Sequence, residues 1–134
     1  MRTYLRSKIH KATVTEARLD YVGSVTLDVA LMQRVGLIEY ERVLVVDNTN
    51  GERIETYVIE GPAESGVVCM NGAAAHKIQA GHEIILMAFE TTDRPPAKPR
   101  QILVDENNRY VCDLDPHDPP AAILSSATPR RPLE

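Results

Sequence analysis

Alternation of apolar and polar residues dominates the chain up to about residue 90 and predicts a series of short β-strands. In the first run the polar residues Arg6, Lys8 and His10 alternate with less polar neighbours, so they share one face of a strand. Val25 and Leu27 continue a strand after Gly23-Ser24. Further runs typical of strands lie at Arg42–Asp47, Ile54–Glu60, Val67–Met70 and Glu83–Glu90.

Turn and cap residues between these runs complete the local prediction. Thr49-Asn50-Gly51 is a strong hairpin signal between two strands. Asp28 is a good N-cap for a short helix through Val35, which Gly36 is placed to end. Ala73–Lys77 has room for one helical turn. About six short strands with tight turns and almost no helix predict a mainly β fold, a small closed β-barrel.

The chain divides by composition into residues 1–90 and a Pro-rich C-terminal extension, residues 91–134, which we expect to be partly ordered. The extension holds eight of the nine prolines, so no long helix or central strand fits most of it. One exception is predicted. Asn107-Asn108 can turn a short hairpin between Ile102–Val104 and Arg109–Cys112.

Composition and charge exclude several classes of function. The net charge of −4, with acidic and basic residues interspersed, argues against a nucleic-acid partner. No apolar run resembles a signal peptide or approaches the length of a membrane span, so we expect a cytoplasmic protein without a membrane partner. Cys69 and Cys112 are then expected to stay reduced. With only 4% aromatic residues, the core must be aliphatic.

Common catalytic motifs are missing from the sequence. The four histidines have neither helical i, i+4 spacing nor paired cysteines nearby, so no metal site is expected. The chain has no GxxxxGK[ST], no GxGxxG and no G-x-S-x-G motif. Two possibilities remain: an enzyme without a bound metal or dinucleotide, or a protein that is not an enzyme.

Four segments place isolated polar groups and small residues within predicted β-structure: KIH at 8–10, YVGSV at 21–25, TNGERIETY at 49–57 and NGAAAH at 71–76. Each has an ordinary reading on its own, as a solvated strand face or a turn. In this order and spacing, however, they closely resemble the pyruvoyl-dependent aspartate 1-decarboxylases. The resemblance covers residues 1 to about 90, and His82 stands where that family often has Asp.

The resemblance implies a fold, an assembly and a reaction. The fold is a six-stranded double-psi β-barrel with short helices, formed by residues 1–90 as the catalytic domain. The assembly is a homotetramer with sites between neighbouring subunits. The reaction is decarboxylation of L-aspartate to β-alanine and CO₂, which supplies β-alanine for pantothenate and coenzyme A biosynthesis.

The cofactor implied by the resemblance is a pyruvoyl group made from Ser24. Its hydroxyl attacks the carbonyl of Gly23, a residue that tolerates a strained backbone, and the chain is cut into residues 1–23 and 24–134. The ketone left at Ser24 forms a Schiff base with the substrate. Family resemblance makes Thr56 the hydrogen-bond donor to the oxyanion of cleavage and Tyr57 the proton donor in decarboxylation.

The remaining site residues are assigned to the substrate. Arg53 offers a planar fork for a carboxylate and Lys8 a point charge. Asn71 is expected to orient the intermediate, and the small residues Gly72, Ala73 and Ala74 to line the substrate site. His10 and Tyr21 are expected to support them.

Several alternatives stay open at this point. Thr56 and Tyr57 are adjacent, so a regular strand points them to opposite faces. They serve one site if the strand bulges or ends there, or they face different subunits. The sequence is compatible with spontaneous cleavage, with cleavage by a maturation factor, and with an unprocessed zymogen. A non-catalytic β-barrel module, such as a swapped-hairpin transcription regulator, is the rival from another class, and the acidic balance speaks against it.

Overall fold

The computed structural model describes residues 1–117, which form nine β-strands, one α-helix and one 3₁₀ turn. In chain order the elements are β1 (Arg2–Thr13), β2 (Glu16–Arg18), β3 (Ser24–Asp28), α1 (Val29–Val35), β4 (Arg42–Asp47), β5 (Arg53–Gly61), β6 (Val68–Asn71), the 3₁₀ turn (Gly72–His76), β7 (Glu83–Thr92), β8 (Arg100–Val104) and β9 (Tyr110–Asp113). The prediction of a mainly β fold with short helices is therefore confirmed.

The strands follow the order β2-β6-β3-β5-β4-β7-β1-β8-β9. Strand β3 lies between β6, to which it is antiparallel, and β5, to which it is parallel. Strand β1 pairs with β7 on one side and with β8 on the other. The beginning of β3 and the polar face of β1 are consequently separated by β5, β4 and β7.

The core is aliphatic, as the low aromatic content predicts. One cluster of buried Val, Ile, Leu, Met and Ala side chains fills it, with Val25, Val58 and Met70 fully buried on the inner faces of β3, β5 and β6. Each such side chain contributes roughly 1.5–3 kcal/mol when removed from water. The polar side chains of these strands alternate with the buried ones and point to the outer face.

Helix α1 has the two ends predicted for it. The Asp28 carboxylate accepts a hydrogen bond from the Ala30 N–H at 2.9 Å, and Gly36 ends the helix in the left-handed region at φ 77°. The same carboxylate accepts from the N–H groups of Glu64 and Gly66. Asp28 therefore ties the start of α1 to the loop before β6.

The predicted hairpin between β4 and β5 is also present, and a buried carboxylate holds its turn. Asp47, fully buried, accepts from the N–H groups of Thr49 at 2.7 Å and Asn50 at 3.3 Å. Its second oxygen lies 2.6 Å from Nδ1 of His82, just before β7. This network fixes where β5 begins.

The structure has nine strands within residues 1–117, three more than the six predicted for residues 1–90. Two of the additional strands, β8 and β9, are the hairpin predicted around Asn107-Asn108. The Asn108 amide stabilises it, donating to the carbonyls of Thr13 and Gly66. The third, β2, has only three residues and no apolar run that predicts a strand.

Part of the Pro-rich extension joins the sheet, because β8 pairs in parallel with β1. Residues 118–134 of that extension lie outside the described residues. Within residues 1–117, no helix is both long and apolar enough to cross a membrane. The thiols of Cys69, buried, and Cys112, half-buried, are not joined to each other.

Candidate active site

Ser24 is the first residue of β3 and lies directly opposite Asn71, the last residue of β6. Its side chain is only 4% exposed. The Asn71 Nδ2 donates a hydrogen bond to Ser24 Oγ at 2.9 Å, and the Ser24 hydroxyl donates to the Val22 carbonyl at 3.2 Å. The hydroxyl that the sequence singles out is thus buried and held in one orientation beside the Gly23 carbonyl.

Gly72 packs against the segment before Ser24. It begins the 3₁₀ turn at φ 70°, and a Cβ placed on it would meet the Cα and N of Gly23 at 2.7 Å and the carbonyl oxygen of Tyr21 at 3.0 Å. Only glycine allows both this dihedral and this approach. The small residue predicted to approach substrate therefore approaches the predicted cleavage site in the chain itself.

A cavity of about 310 Å³ lies beside Gly23. Its lining brings together residues from the loop before β3, from β5 and from the 3₁₀ segment: Gly23, Ile54, Glu55, Thr56, Asn71, Ala73, Ala74 and Lys77. Thr56 thus lines the same cavity as Gly23. Glu55 and Lys77 are not among the residues predicted from the sequence, and Lys77 Nζ is bound to Glu52 Oε1 at 3.1 Å.

Thr56 and Tyr57 point to opposite faces of β5. The pairing with β4 runs without a register shift from Tyr57 to Arg53, and β5 continues to Gly61, so the strand neither bulges nor ends at this point. A bulge and a strand end at Thr56 and Tyr57 are thereby excluded.

Tyr57 shares a face with Ser24. Val25 of β3 pairs with Val58 of β5, and Ser24 and Tyr57 each precede that pair by one residue. The ring of Tyr57 lies 6.4 Å from the ring of Tyr40, centroid to centroid. The Tyr57 side chain thus lies on the same face of the sheet as the buried Ser24 side chain, with Tyr40 packed beside it.

The two predicted cations lie on different strands, Lys8 on β1 and Arg53 on β5. Lys8 is on β1, paired with Met87 and Gln101, and four strand spacings of about 4.8 Å put it roughly 19 Å from β3 along the sheet. Arg53 is exposed at the start of β5. Within residues 1–117, the side chains of Lys8 and Arg53 form no hydrogen bond or ion pair.

Of the two supporting residues, His10 lies on β1 and Tyr21 lies three residues before Ser24. His10 is half-buried on β1, on the same face as Lys8. Tyr21 is 49% exposed, and the Arg18 guanidinium lies over its ring at 4.2 Å. One chain thus brings together Gly23, Ser24, Thr56 and the segment 71–74, with Tyr21 and Tyr57 beside them and Arg53 on the same face of β5 as Tyr57, but not Lys8 or His10.

A polar ladder extends from Ser24 along β3 and β6. Ser24 faces Asn71 and Thr26 faces Cys69, so all four side chains share the outer face of this antiparallel pair. Asn71 Nδ2 also donates to Thr26 Oγ1 at 2.9 Å, and Cys69 Sγ donates to Asn71 Oδ1 at 3.2 Å. Thr26 and Cys69 were not predicted as site residues, although the period of two from Ser24 and Asn71 reaches both.

The thiol of Cys69 acts as a donor in this ladder. Its burial raises the pKa of Cys69, the Glu16 carboxylate adds to the increase, and Arg18 opposes it. The thiol therefore stays protonated at neutral pH, and its S–H faces the amide oxygen of Asn71.

Comparison with known proteins gives the class of this site. The relatives compared are carboxy-lyases, each named aspartate 1-decarboxylase. The protein of Corynebacterium efficiens is 51% identical over 132 residues, covering 94% of this chain and 97% of the relative. That of Acetivibrio thermocellus is 51% identical over 112 residues, covering 81% and 89%. That of Neisseria meningitidis is 47% identical over 126 residues, covering 92% and 98%.

The family model for aspartate decarboxylase matches residues 1–111. The chain belongs to the aspartate decarboxylase family. Among solved structures, a computationally designed protein, msDPBB_sym2, aligns with 64% of this chain at a TM-score of 0.40 and 13% identity.

Proposed function

We propose that this protein decarboxylates L-aspartate to β-alanine and CO₂, using a pyruvoyl group that the chain makes from its own Ser24. The β-alanine supplies pantothenate and hence coenzyme A biosynthesis. The observation that carries the proposal is the buried Ser24 hydroxyl, oriented by Asn71 and Val22 beside the Gly23 carbonyl, in a member of the aspartate decarboxylase family.

Maturation begins with attack of Ser24 Oγ on the Gly23 carbonyl carbon. The C–N bond between the two residues breaks and an ester forms. Elimination then releases Gly23 as a carboxylate and leaves dehydroalanine at position 24. Water hydrolyses it, ammonia departs, and residues 24–134 begin with a ketone. Thr56, which lines the same cavity as Gly23, donates to the oxyanion of the first step.

The surroundings of Ser24 fit a pyruvoyl group. The flanking residues Gly23, Gly72 and Ala73 are small, and the Asn71 amide supplies a hydrogen-bond donor beside position 24. A pyruvoyl group there supplies a carbonyl that accepts the electrons released when the α-carboxylate leaves as CO₂.

The chain's own residues bind the substrate and move its protons. Aspartate carries two carboxylates, and Lys8 and Arg53 are cations without partners within residues 1–117. Arg53 binds one carboxylate through its planar fork and Lys8 attracts the other, while His10 and Tyr21 support them. Tyr57, which shares a face with Ser24, returns a proton to the α-carbon. Asn71, Gly72, Ala73 and Ala74 line the site.

A homotetramer with sites between neighbouring subunits accounts for the position of Lys8. Lys8 lies too far from Ser24 along the outer face of the sheet to reach it within one chain. Leu19, Tyr21 and Val22, which lie just before the cleavage site, are 57%, 49% and 81% exposed, as expected of a surface that another subunit covers. We also propose that the strands close into a double-psi β-barrel and that the protein acts in the cytoplasm.

Denaturing mass spectrometry of the purified full-length protein tests the proposal. Two chains are expected, residues 1–23 and 24–134, the longer one lighter than a serine-started chain by one ammonia. The same sample should convert L-aspartate to β-alanine. A single intact chain that decarboxylates aspartate at full rate would contradict the pyruvoyl mechanism, and a cleaved protein without decarboxylase activity would contradict the assigned reaction.

A further inference from the structure

The side chain of Asn71 can donate to Ser24 in only one of its two amide orientations. An amide has an oxygen that accepts and a nitrogen that donates two hydrogens, and a turn of 180° about its last bond exchanges them. In the orientation found here both hydrogens are used, one on Ser24 Oγ and one on Thr26 Oγ1, each at 2.9 Å. A group that fixes this orientation therefore also fixes the hydroxyl of Ser24.

Cys69 is the group on the oxygen side of the amide. Its Sγ lies 3.2 Å from Asn71 Oδ1, and both residues are buried, with 4% and 3% of their surface exposed. In the reversed orientation the S–H of Cys69 would lose its acceptor, and the amide nitrogen would face a sulfur that accepts only weakly. The thiol thus favours the orientation in which the nitrogen faces Ser24.

We infer that Cys69 is a positioning residue for self-cleavage, which it promotes by holding the Asn71 amide with its nitrogen toward Ser24. The inference rests on the proposed function, since it concerns the rate at which Ser24 attacks Gly23. Thr26 holds the same nitrogen from a second side, because its Oγ1 accepts the other hydrogen. Without the Cys69 thiol, a reversed amide can accept from the Ser24 hydroxyl, which then turns away from Val22.

A conservative pair of variants separates hydrogen bonding from packing. Cys69→Ser keeps a small donor at this position, whereas Cys69→Ala removes it. We expect Cys69→Ala to slow cleavage on the order of tenfold, the effect of losing one hydrogen bond to a buried acceptor, and Cys69→Ser to stay within about threefold of the parent chain. Cys112→Ala, at the chain's other cysteine, is the matched control and should leave the rate unchanged.

The measurement follows conversion of freshly purified full-length chain into residues 1–23 and 24–134 by denaturing mass spectrometry, with thermal unfolding recorded for each variant. Thr26→Val and Thr26→Ser repeat the comparison on β3, so the test does not depend on the folding of one variant. Cleavage should be slow in the valine variant and close to the parent rate in the serine variant. Parent-like cleavage in Cys69→Ala, or Cys69→Ser as slow as Cys69→Ala, overturns the inference. A parent chain that is never cleaved overturns the proposed function itself, and this inference with it.

Discussion

Gly72 lies so close to Gly23 that a single methyl group on it would overlap the backbone of the cleavage site. The ideal Cβ position is 2.7 Å from both the Cα and the N of Gly23. Two glycines, 49 positions apart in sequence (72 − 23), are thus in backbone contact. The shape of the peptide that Ser24 attacks therefore depends on the segment that follows β6.

Gly72→Ala should accordingly block cleavage. The added Cβ displaces the Gly23 carbonyl from the Ser24 hydroxyl. Gly51→Ala is the control: Gly51 has φ 81° and no atom within 4 Å of the Cβ position, so the substitution adds only the strain of a left-handed backbone, about 1–2 kcal/mol. The fraction of cleaved chain after a fixed incubation, read by denaturing mass spectrometry, compares the two variants. Equal cleavage in both would mean that the contact between Gly72 and Gly23 does not matter.

Thr56→Val should slow cleavage by about 10²–10³, the effect of removing one preorganised donor to an oxyanion. The substitution keeps the shape of the side chain and removes the hydroxyl beside Gly23. Thr56→Ser, which retains the hydroxyl, is the control and should mature at close to the parent rate. Normal maturation of the valine variant would mean that another group donates to the oxyanion, and the Asn71 amide is the nearby candidate.

Sequence patterns predicted the local structure well where one interaction decides it. Asp28 and Gly36 as the ends of α1 and Thr49-Asn50-Gly51 as a hairpin turn are confirmed, since caps and turns depend on neighbouring residues. Strand β2 escaped prediction because it is held by pairing with β6 across a large sequence separation. No local pattern encodes that pairing.

The sequence names candidate site residues, but it does not reveal how the fold arranges them. The order and spacing of the motifs single out Ser24, Thr56 and Asn71, which the fold brings together. That Lys8 lies four strands from Ser24 follows from the crossovers of the sheet, which periodicity along the chain does not reveal. Lys77 was not predicted because it follows the 3₁₀ turn, where the alternation of a strand does not indicate which side chains face the cavity.

Tyr57→Phe should leave cleavage intact and lower the rate of decarboxylation by about 10²–10⁴. The aromatic ring keeps its packing near Tyr40, and only the hydroxyl proposed to return the proton is lost. β-Alanine formation per mole of cleaved chain measures the effect. Tyr40→Phe is the control with a neighbouring ring and should change turnover little. Slow cleavage in Tyr57→Phe would instead assign this residue to maturation.

His82→Ala should destabilise the fold without touching the site. Removing the imidazole leaves the fully buried carboxylate of Asp47 with one partner fewer, a cost of about 1–3 kcal/mol. A fall in Tm of about 3–10 °C is expected by differential scanning calorimetry. His76→Ala, at an exposed histidine, serves as the reference. An unchanged Tm for His82→Ala would show that backbone donors alone satisfy Asp47.

Mixed oligomers test whether Lys8 of one subunit serves Ser24 of another. Ser24→Ala lacks the cleavable serine and Lys8→Ala lacks the cation, so each alone should be inactive or nearly so. If the site forms between subunits, random mixing of the two chains on co-expression joins an intact Ser24 to an intact Lys8 in about a quarter of the sites. Activity should return to roughly that fraction of the parent level, measured as β-alanine formed per oligomer.

A doubly substituted chain, Lys8→Ala with Ser24→Ala, co-expressed with the parent chain controls for dilution. If both residues act within one chain, the mixture of single variants regains nothing, because no chain in it carries both.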